Sequence, residues 1–154
     1  MRRIAKDGRA GFYEGPVADD ILGKLQQIGG THTQDDFDAA IGDYVTPITG
    51  AFRDHNIWEC PPNGQGVIAL MLLNIMSGID TFGDHPISAD RMHHEIEAGR
   101  LAYRDRGAVL ADPAFSDVPV AELLGAAYAD SLRSQIKPEG RIHPLPASTL
   151  PRHR

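Results

Sequence analysis

Apolar positions along the chain fall into short blocks, most of them closed by glycine or proline. Val17, Ile21, Leu22, Leu25 and Ile28 recur at helical spacing behind Pro16 until Gly29-Gly30 ends the run, which predicts a helix over Pro16–Gln27. Ahead of it, Ile4 among charged residues, closed by Gly8, has the form of the last turn of a helix. Thr33-Gln34-Asp35-Asp36 has the form of a capping box, with Thr33 as N-cap and Asp36 at N3. Phe37, Ala40, Ile41 and Tyr44 then supply the stripe of a second, shorter helix.

Between Pro47 and Cys60 the pattern changes to β-formers, Ile48, Phe52, Ile57 and Trp58, on either side of Arg53-Asp54-His55-Asn56, which predicts one hairpin. Residues 67–76 read as a third helix that is apolar all round and therefore belongs inside a larger body. Ser88 caps a fourth helix from Ala89 to about Arg106, with Met92, Ile96 and Tyr103 inward. Pro119 opens a fifth, in which Val120, Leu123, Leu124, Ala127, Tyr128, Leu132 and Ile136 share a face. The expected fold class is thus α+β, a mostly helical domain of about five helices and one hairpin over residues 1–137. Residues 138–154, with Pro138, Pro144, Pro146 and Pro151, are expected to be extended and poorly packed.

Composition narrows the function classes. The 154 residues carry 15 Lys and Arg against 21 Asp and Glu, a formal charge of −6, so a basic face for nucleic acid is not expected. Cys60 is the single cysteine, which excludes an internal disulfide and a cysteine-based zinc site within the chain. The longest apolar stretch falls far short of the roughly 20 residues of a membrane span. Met1-Arg2-Arg3 is charged but has no apolar region behind it, so a secretory signal is not expected here, and both cytoplasm and periplasm fit.

Several motifs have a chemical and a plain reading. Gly64-Gln65-Gly66-Val67-Ile68-Ala69 fits the dinucleotide fingerprint formally. A second parallel strand is needed after the helix, however, and residues 77–84 look like loop, so close packing of a helix start is preferred. His93 and Glu97 stand at i and i+4, a metal-ligand spacing without a third ligand, and a solvated face or ion pair is preferred. Thr31 and Thr33 flank His32, yet an internal threonine has no α-amino base, and capping already occupies Thr33. Glu97, Arg100, Asp105, Arg106 and Asp112 alternate in sign and are expected to form an ion-pair network holding the fourth helix to a neighbour.

The ordered set of segments resembles the gamma-glutamyltransferase family of N-terminal-nucleophile hydrolases. Gly11-Phe12-Tyr13-Glu14-Gly15-Pro16-Val17-Ala18 is similar to its G-F-Y-x-G-x-x-A segment, and residues 29–37 resemble its G-G-x-x-T-x-x-D-[LF] segment. Pro47 and Arg53 fall where the family leads into its hairpin, and Pro61-Pro62-Asn63-Gly64-Gln65-Gly66 where it has a Pro-rich turn followed by Ser or Asn and glycines. His94, Glu97, Ala98, Tyr103, Asp105 and Arg106, then Leu110-Ala111-Asp112-Pro113, Tyr128-Ala129 and Ile136, follow in family order. Trp58-Glu59-Cys60-Pro61-Pro62-Asn63-Gly64 is closer to the divergent amidohydrolases and acylases of the family, oxamate hydrolases among them, than to its glutathione-processing members.

The resemblance implies a precursor that cuts itself before a threonine, which becomes the nucleophile of a small subunit, within an αββα sandwich. This sequence then corresponds to the C-terminal part of the large subunit, inactive alone, with the cut beyond its Pro-rich tail. It implies no catalytic, cofactor-binding or metal residue here, no cofactor, and the small subunit and a small amide or gamma-glutamyl substrate as partners of the complete enzyme. The other reading is a free-standing helical binding module. The third helix has no polar face, so an exposed apolar patch of about several hundred Å² is expected, with dye binding or self-association of the isolated chain.

Overall fold

The structure, a computed structural model, describes residues 1–80, 85 and 87–150. Among these are eight helices and two strands, in two compact units, Met1–Tyr44 and Val45–Arg154. The α+β class is as expected. The helix count is not, because one-turn helices carry too few residues to show a period.

The first unit holds α1 (Arg2–Asp7), α2 (Ala10–Tyr13), α3 (Pro16–Gln27) and α4 (Gln34–Ala39). Gly8 ends α1 with φ 60°, a left-handed backbone that glycine adopts without cost. Gly11 lets α2 lie against α1: a Cβ there would stand 2.5 Å from the Arg3 carbonyl oxygen. Pro16 is the first residue of α3, as its fixed φ favours, and Ala18 and Leu22 face inward. Thr33 caps α4 as expected, its N–H donating to Asp36 Oδ2 at 2.7 Å. The expected stripe of that helix is not buried. Phe37 is half-buried against Tyr13, while Ile41 and Tyr44 lie beyond the helix end and are exposed.

The second unit is built round α5 (Gly66–Ser77), which packs against the hairpin and against three other helices. The hairpin, β1 (Ile48–Phe52) and β2 (His55–Glu59), is antiparallel in the register Ile48 with Glu59 and Phe52 with His55. Its two-residue turn puts Arg53 at φ 53°. No second parallel strand follows α5 among the described residues, so the dinucleotide fold is not formed; residues 81–84 of the expected loop lie outside them. A Cβ on Gly66 would stand 2.6 Å from Glu59 Cβ, which is the packing reason for that glycine.

The helix expected after Pro119 is two, α7 (Val120–Leu123) and α8 (Ala126–Arg133), because Gly125 takes an extended backbone between them. Leu123 and Leu132 still enter one core, with Val120, Leu124, Tyr128 and Ile136 against it, but Ala127 is exposed. The fourth expected helix, α6 (Ala89–Val109), is capped by Ser88, whose hydroxyl accepts from Arg91 N–H at 3.2 Å. Its inward face is not the expected one. Ala98, Leu101, Ala102 and Val109 are buried together with Glu97 and Asp105, whereas Met92, Ile96 and Tyr103 are 47%, 57% and 57% exposed. Residues 138–150 form no helix or strand and are packed: Leu150 lies in the core, and Ile142 and Leu145 lie against it.

Candidate functional site

The chemistry of the second unit concentrates on the two sides of α6. Inward positions 97, 98, 101, 102, 105 and 109 follow helical spacing, and two of the six are carboxylates that need partners in an apolar surrounding. Asp105, fully buried, is bonded by Arg104 Nε at 2.9 Å and accepts from the Tyr128 hydroxyl at 2.6 Å. This joins α6 to α8. Burial, then the bond to Asp105, holds the Tyr128 phenol above its usual pKa.

Glu97, 3% exposed, meets Arg100 Nη1 at 2.7 and 2.8 Å and accepts from the Ile142 N–H at 3.0 Å. Burial opposes its charge, but the Ile142 N–H and Arg100 together outweigh burial and hold the carboxyl below its usual value. The expected network is thus present in part and with other partners. Arg104, not Arg106, pairs with Asp105; Arg106 lies over the Tyr103 ring, and Asp112 accepts from Ala114 N–H within its own turn. His93 is not brought to Glu97 as a co-ligand: its Nε2–H donates to the Lys137 carbonyl at 2.7 Å.

Among residues that sequence reasoning missed, Arg133 has the largest role. From α8 it donates through Nε to Ile75 O and through Nη2 to Asn74 O, both at 2.9 Å, closing the C-terminal carbonyls of α5. Asp130 holds the same guanidinium, and Gly78 leaves room for it. The Ile142 N–H and Arg133 act across 45 and 58 positions of sequence, which no local pattern displays. Asp105 had a signal, its place in the 98, 101, 102, 109 series.

The outward side is apolar. Met92, Ile96, Gly99 and Tyr103 form one stripe, and a Cβ on Gly99 would stand 3.7 Å from Leu72 of α5. Beside the stripe, α5 leaves Ala69 exposed and Leu72 and Leu73 half-covered. Two adjoining hollows share those leucines. One, of about 520 Å³, runs from Gln65 to Tyr103; the other, of about 310 Å³, is walled by Phe52 and Met76 and rimmed by Arg53, Arg91 and Glu95. Met92, Ile96 and Tyr103 are thus a real apolar stripe, turned away from the core.

Thr31, His32 and Thr33 lie at the start of α4 in the first unit, and Thr33 Oγ1 is bonded to Asp36 Oδ2 at 3.1 Å. Cys60 is exposed at the end of the hairpin. No helix among the described residues is long and apolar enough to cross a membrane.

The profile of the family described as gamma-glutamyltranspeptidase matches residues 1–150. The chain belongs to that family. It is 39% identical over 136 residues to the glutathione hydrolase-like YwrD proenzyme of Bacillus subtilis, a match that covers 88% of this chain and 26% of that protein. Among solved structures it is similar to the gamma-glutamyltranspeptidase of Helicobacter pylori, with a TM-score of 0.75 at 29% identity, over 92% of this chain and 41% of that one. It is also similar to the cephalosporin acylase of Bacillus halodurans, with a TM-score of 0.71 at 36% identity, over 88% of this chain and 25% of that one. The chain therefore spans about a quarter of the length of curated relatives it matches.

Proposed function

We propose that this gamma-glutamyltranspeptidase-family chain is the helical body of a large subunit in an N-terminal-nucleophile amidohydrolase, and that it performs no chemistry alone. The observation that carries this reading is the uncovered apolar surface of α5 and α6. Leu72, Leu73, Met92, Ile96 and Tyr103 lie along one side of the core, and leaving a large side chain in water forgoes roughly 1.5 to 3 kcal/mol. We assign that surface to the nucleophile-bearing subunit of the same precursor. In the parent the hairpin flanks the central sheet of an αββα sandwich. The substrate is a small amide, gamma-glutamyl or acyl. The turn Trp58-Glu59-Cys60-Pro61-Pro62-Asn63-Gly64, which resembles that of the divergent amidohydrolases and acylases, favours an amidohydrolase or acylase over a glutathione enzyme.

Expression of the complete reading frame that contains this chain tests the reading. The expected product is cut into two associated subunits that release the aniline from gamma-glutamyl anilides, ammonia from oxamate or the amine from acyl amides. The 154-residue chain alone turns over none of these and binds a hydrophobic dye, and Leu73→Lys prevents association without unfolding the chain. Turnover by the isolated chain, abolished by a change at an internal residue, overturns the proposal. So does a dye-silent chain that melts sharply as a monomer.

A further inference from the structure

One face of α6 grips the backbone of a distant segment. His93, Glu97 and Arg100 stand at i, i+4 and i+7 and therefore share a side of the helix. His93 Nε2–H donates to Lys137 O at 2.7 Å, Arg100 Nη2 donates to Ile142 O at 2.9 Å, and Ile142 N–H donates to Glu97 Oε2 at 3.0 Å. Glu97 and Arg100, themselves bonded, hold the N–H and the C=O of one residue, as a neighbouring strand would. Eight residues further on, Leu150 enters the core.

The choice of groups is informative. A tail needing adhesion alone is held by apolar side chains, as Leu145 and Leu150 hold this one. A buried carboxylate is costly unless its bonds are complete, and in return it selects one peptide unit out of many. An apolar contact tolerates a slip along the helix; the paired N–H and C=O of Ile142 do not.

We propose that residues 137–150 are a strap whose register is set by the His93, Glu97 and Arg100 stripe, so that the chain leaves Leu150 from a fixed point. Resting on the function proposed above, the stripe thereby positions the continuation that carries the self-cleavage site. These three are positioning residues, not catalytic ones.

Hydrogen exchange of the 154-residue chain, read peptide by peptide, tests the strap. Glu97→Gln is expected to speed exchange over residues 138–146 by about tenfold while residues 66–77 of α5 keep their protection. Arg100→Lys preserves the pairing with Glu97 but not the reach to Ile142 O, and is expected to fall between. His93→Phe, which leaves Glu97 and Arg100 in place, is expected to loosen only the stretch near Lys137 and serves if Glu97→Gln does not fold. Wild-type exchange across 138–146 in the variants overturns the strap, as does equal acceleration in α5. In the complete precursor, the Glu97→Gln variant is expected to self-cleave about tenfold more slowly at an unchanged cut position. A precursor that never cleaves refutes the proposed function and leaves the strap to be judged by exchange; one that cleaves at the wild-type rate despite a loosened strap refutes the positioning role.

Discussion

Two arginines do the same job in the two units, and the contrast between them separates the units physically. Arg9 donates to Phe37 O, Asp38 O and Ala40 O at the end of α4, and its guanidinium lies 4.8 Å from the centre of the Tyr13 ring. Arg133 donates to Asn74 O and Ile75 O at the end of α5. Both donate to carbonyls at the end of a helix, where backbone donors run short, although Phe37 O and Asn74 O also accept from Ala40 N–H and the Ser77 hydroxyl. Arg9 works at a surface, in a unit whose buried residues are Gly11, Ala18 and Leu22. Arg133 works against a core that α5, α6, α7 and α8 share. The first unit is held by caps, a proline, glycines and an edge-on aromatic cluster, Phe12, Tyr13 and Phe37. The second is held by burial, and its two buried carboxylates, Glu97 and Asp105, are bonded because burial requires it.

The largest effect is expected where that requirement is strictest. Asp105→Ala removes the partner of Arg104, whose side chain is 8% exposed, and the acceptor of the Tyr128 hydroxyl. A buried charge left without its partner costs about 3 to 5 kcal/mol. Urea unfolding should therefore show a large drop in midpoint. A drop no larger than that of a surface substitution would show that water reaches Arg104 and that the buried network does not stabilise α6.

The arginine pair sharpens the comparison directly. Arg133→Met keeps much of the stem but removes two bonds to the end of α5, and is expected to cost about 2 kcal/mol. Arg9→Met removes more bonds, three carbonyl partners, but from an exposed setting, and is expected to cost less than about 1 kcal/mol. Equal costs would mean that bond count, not burial, governs both units.

The same division decides what was legible in the sequence. The first unit's elements are set by neighbours: Pro16 at a helix start, Gly8 at an end, the Thr33 and Asp36 box. Hairpin and α5 were legible for a similar reason, since β-formers flank a short polar turn and nine apolar residues in positions 67–76, interrupted only by Asn74, cannot all face water. The orientation of α6 was not. Its sequence carries two stripes of similar weight, Met92, Ile96, Tyr103 and Ala98, Leu101, Ala102, Val109, and hydrophobicity alone favours the larger side chains. The second stripe wins because its members are small enough to bring α5 close, and because Arg100, Arg104, Tyr128 and Ile142 complete the bonds of Glu97 and Asp105. Tyr128 lies on another element and Ile142 in an irregular tail, where no period exists to display them. The apolar surface of α5 and α6 was foreseen as a patch of the third helix; that the fourth contributes half of it follows from the same reversal.

The smallest effect belongs to the first unit, at the N-terminus of α4. Thr33→Ala removes a capping hydroxyl and is expected to cost about 0.5 to 1 kcal/mol. The loss should be local, seen as faster hydrogen exchange over residues 34–39 with no change in the unfolding of residues 66–133. Acid should reproduce it. The backbone N–H and then the hydroxyl of Thr33 hold Asp36 below its ordinary value of 3.8, so the ionised carboxylate stabilises the folded state above that pH, and the contribution disappears as pH falls through the lower folded-state value. Glu97 has the same sign in the second unit: its contribution is complete above 4.5 and is lost below it, as the carboxyl protonates. Titration with residue-level detection should show α4 fraying in the wild type and no further acid effect there in Asp36→Asn, while residues 137–142 loosen in both. If α4 and the tail respond to acid together in Asp36→Asn as in the wild type, neither loss is local, and the contrast between a capped unit and a packed one does not hold at these carboxylates.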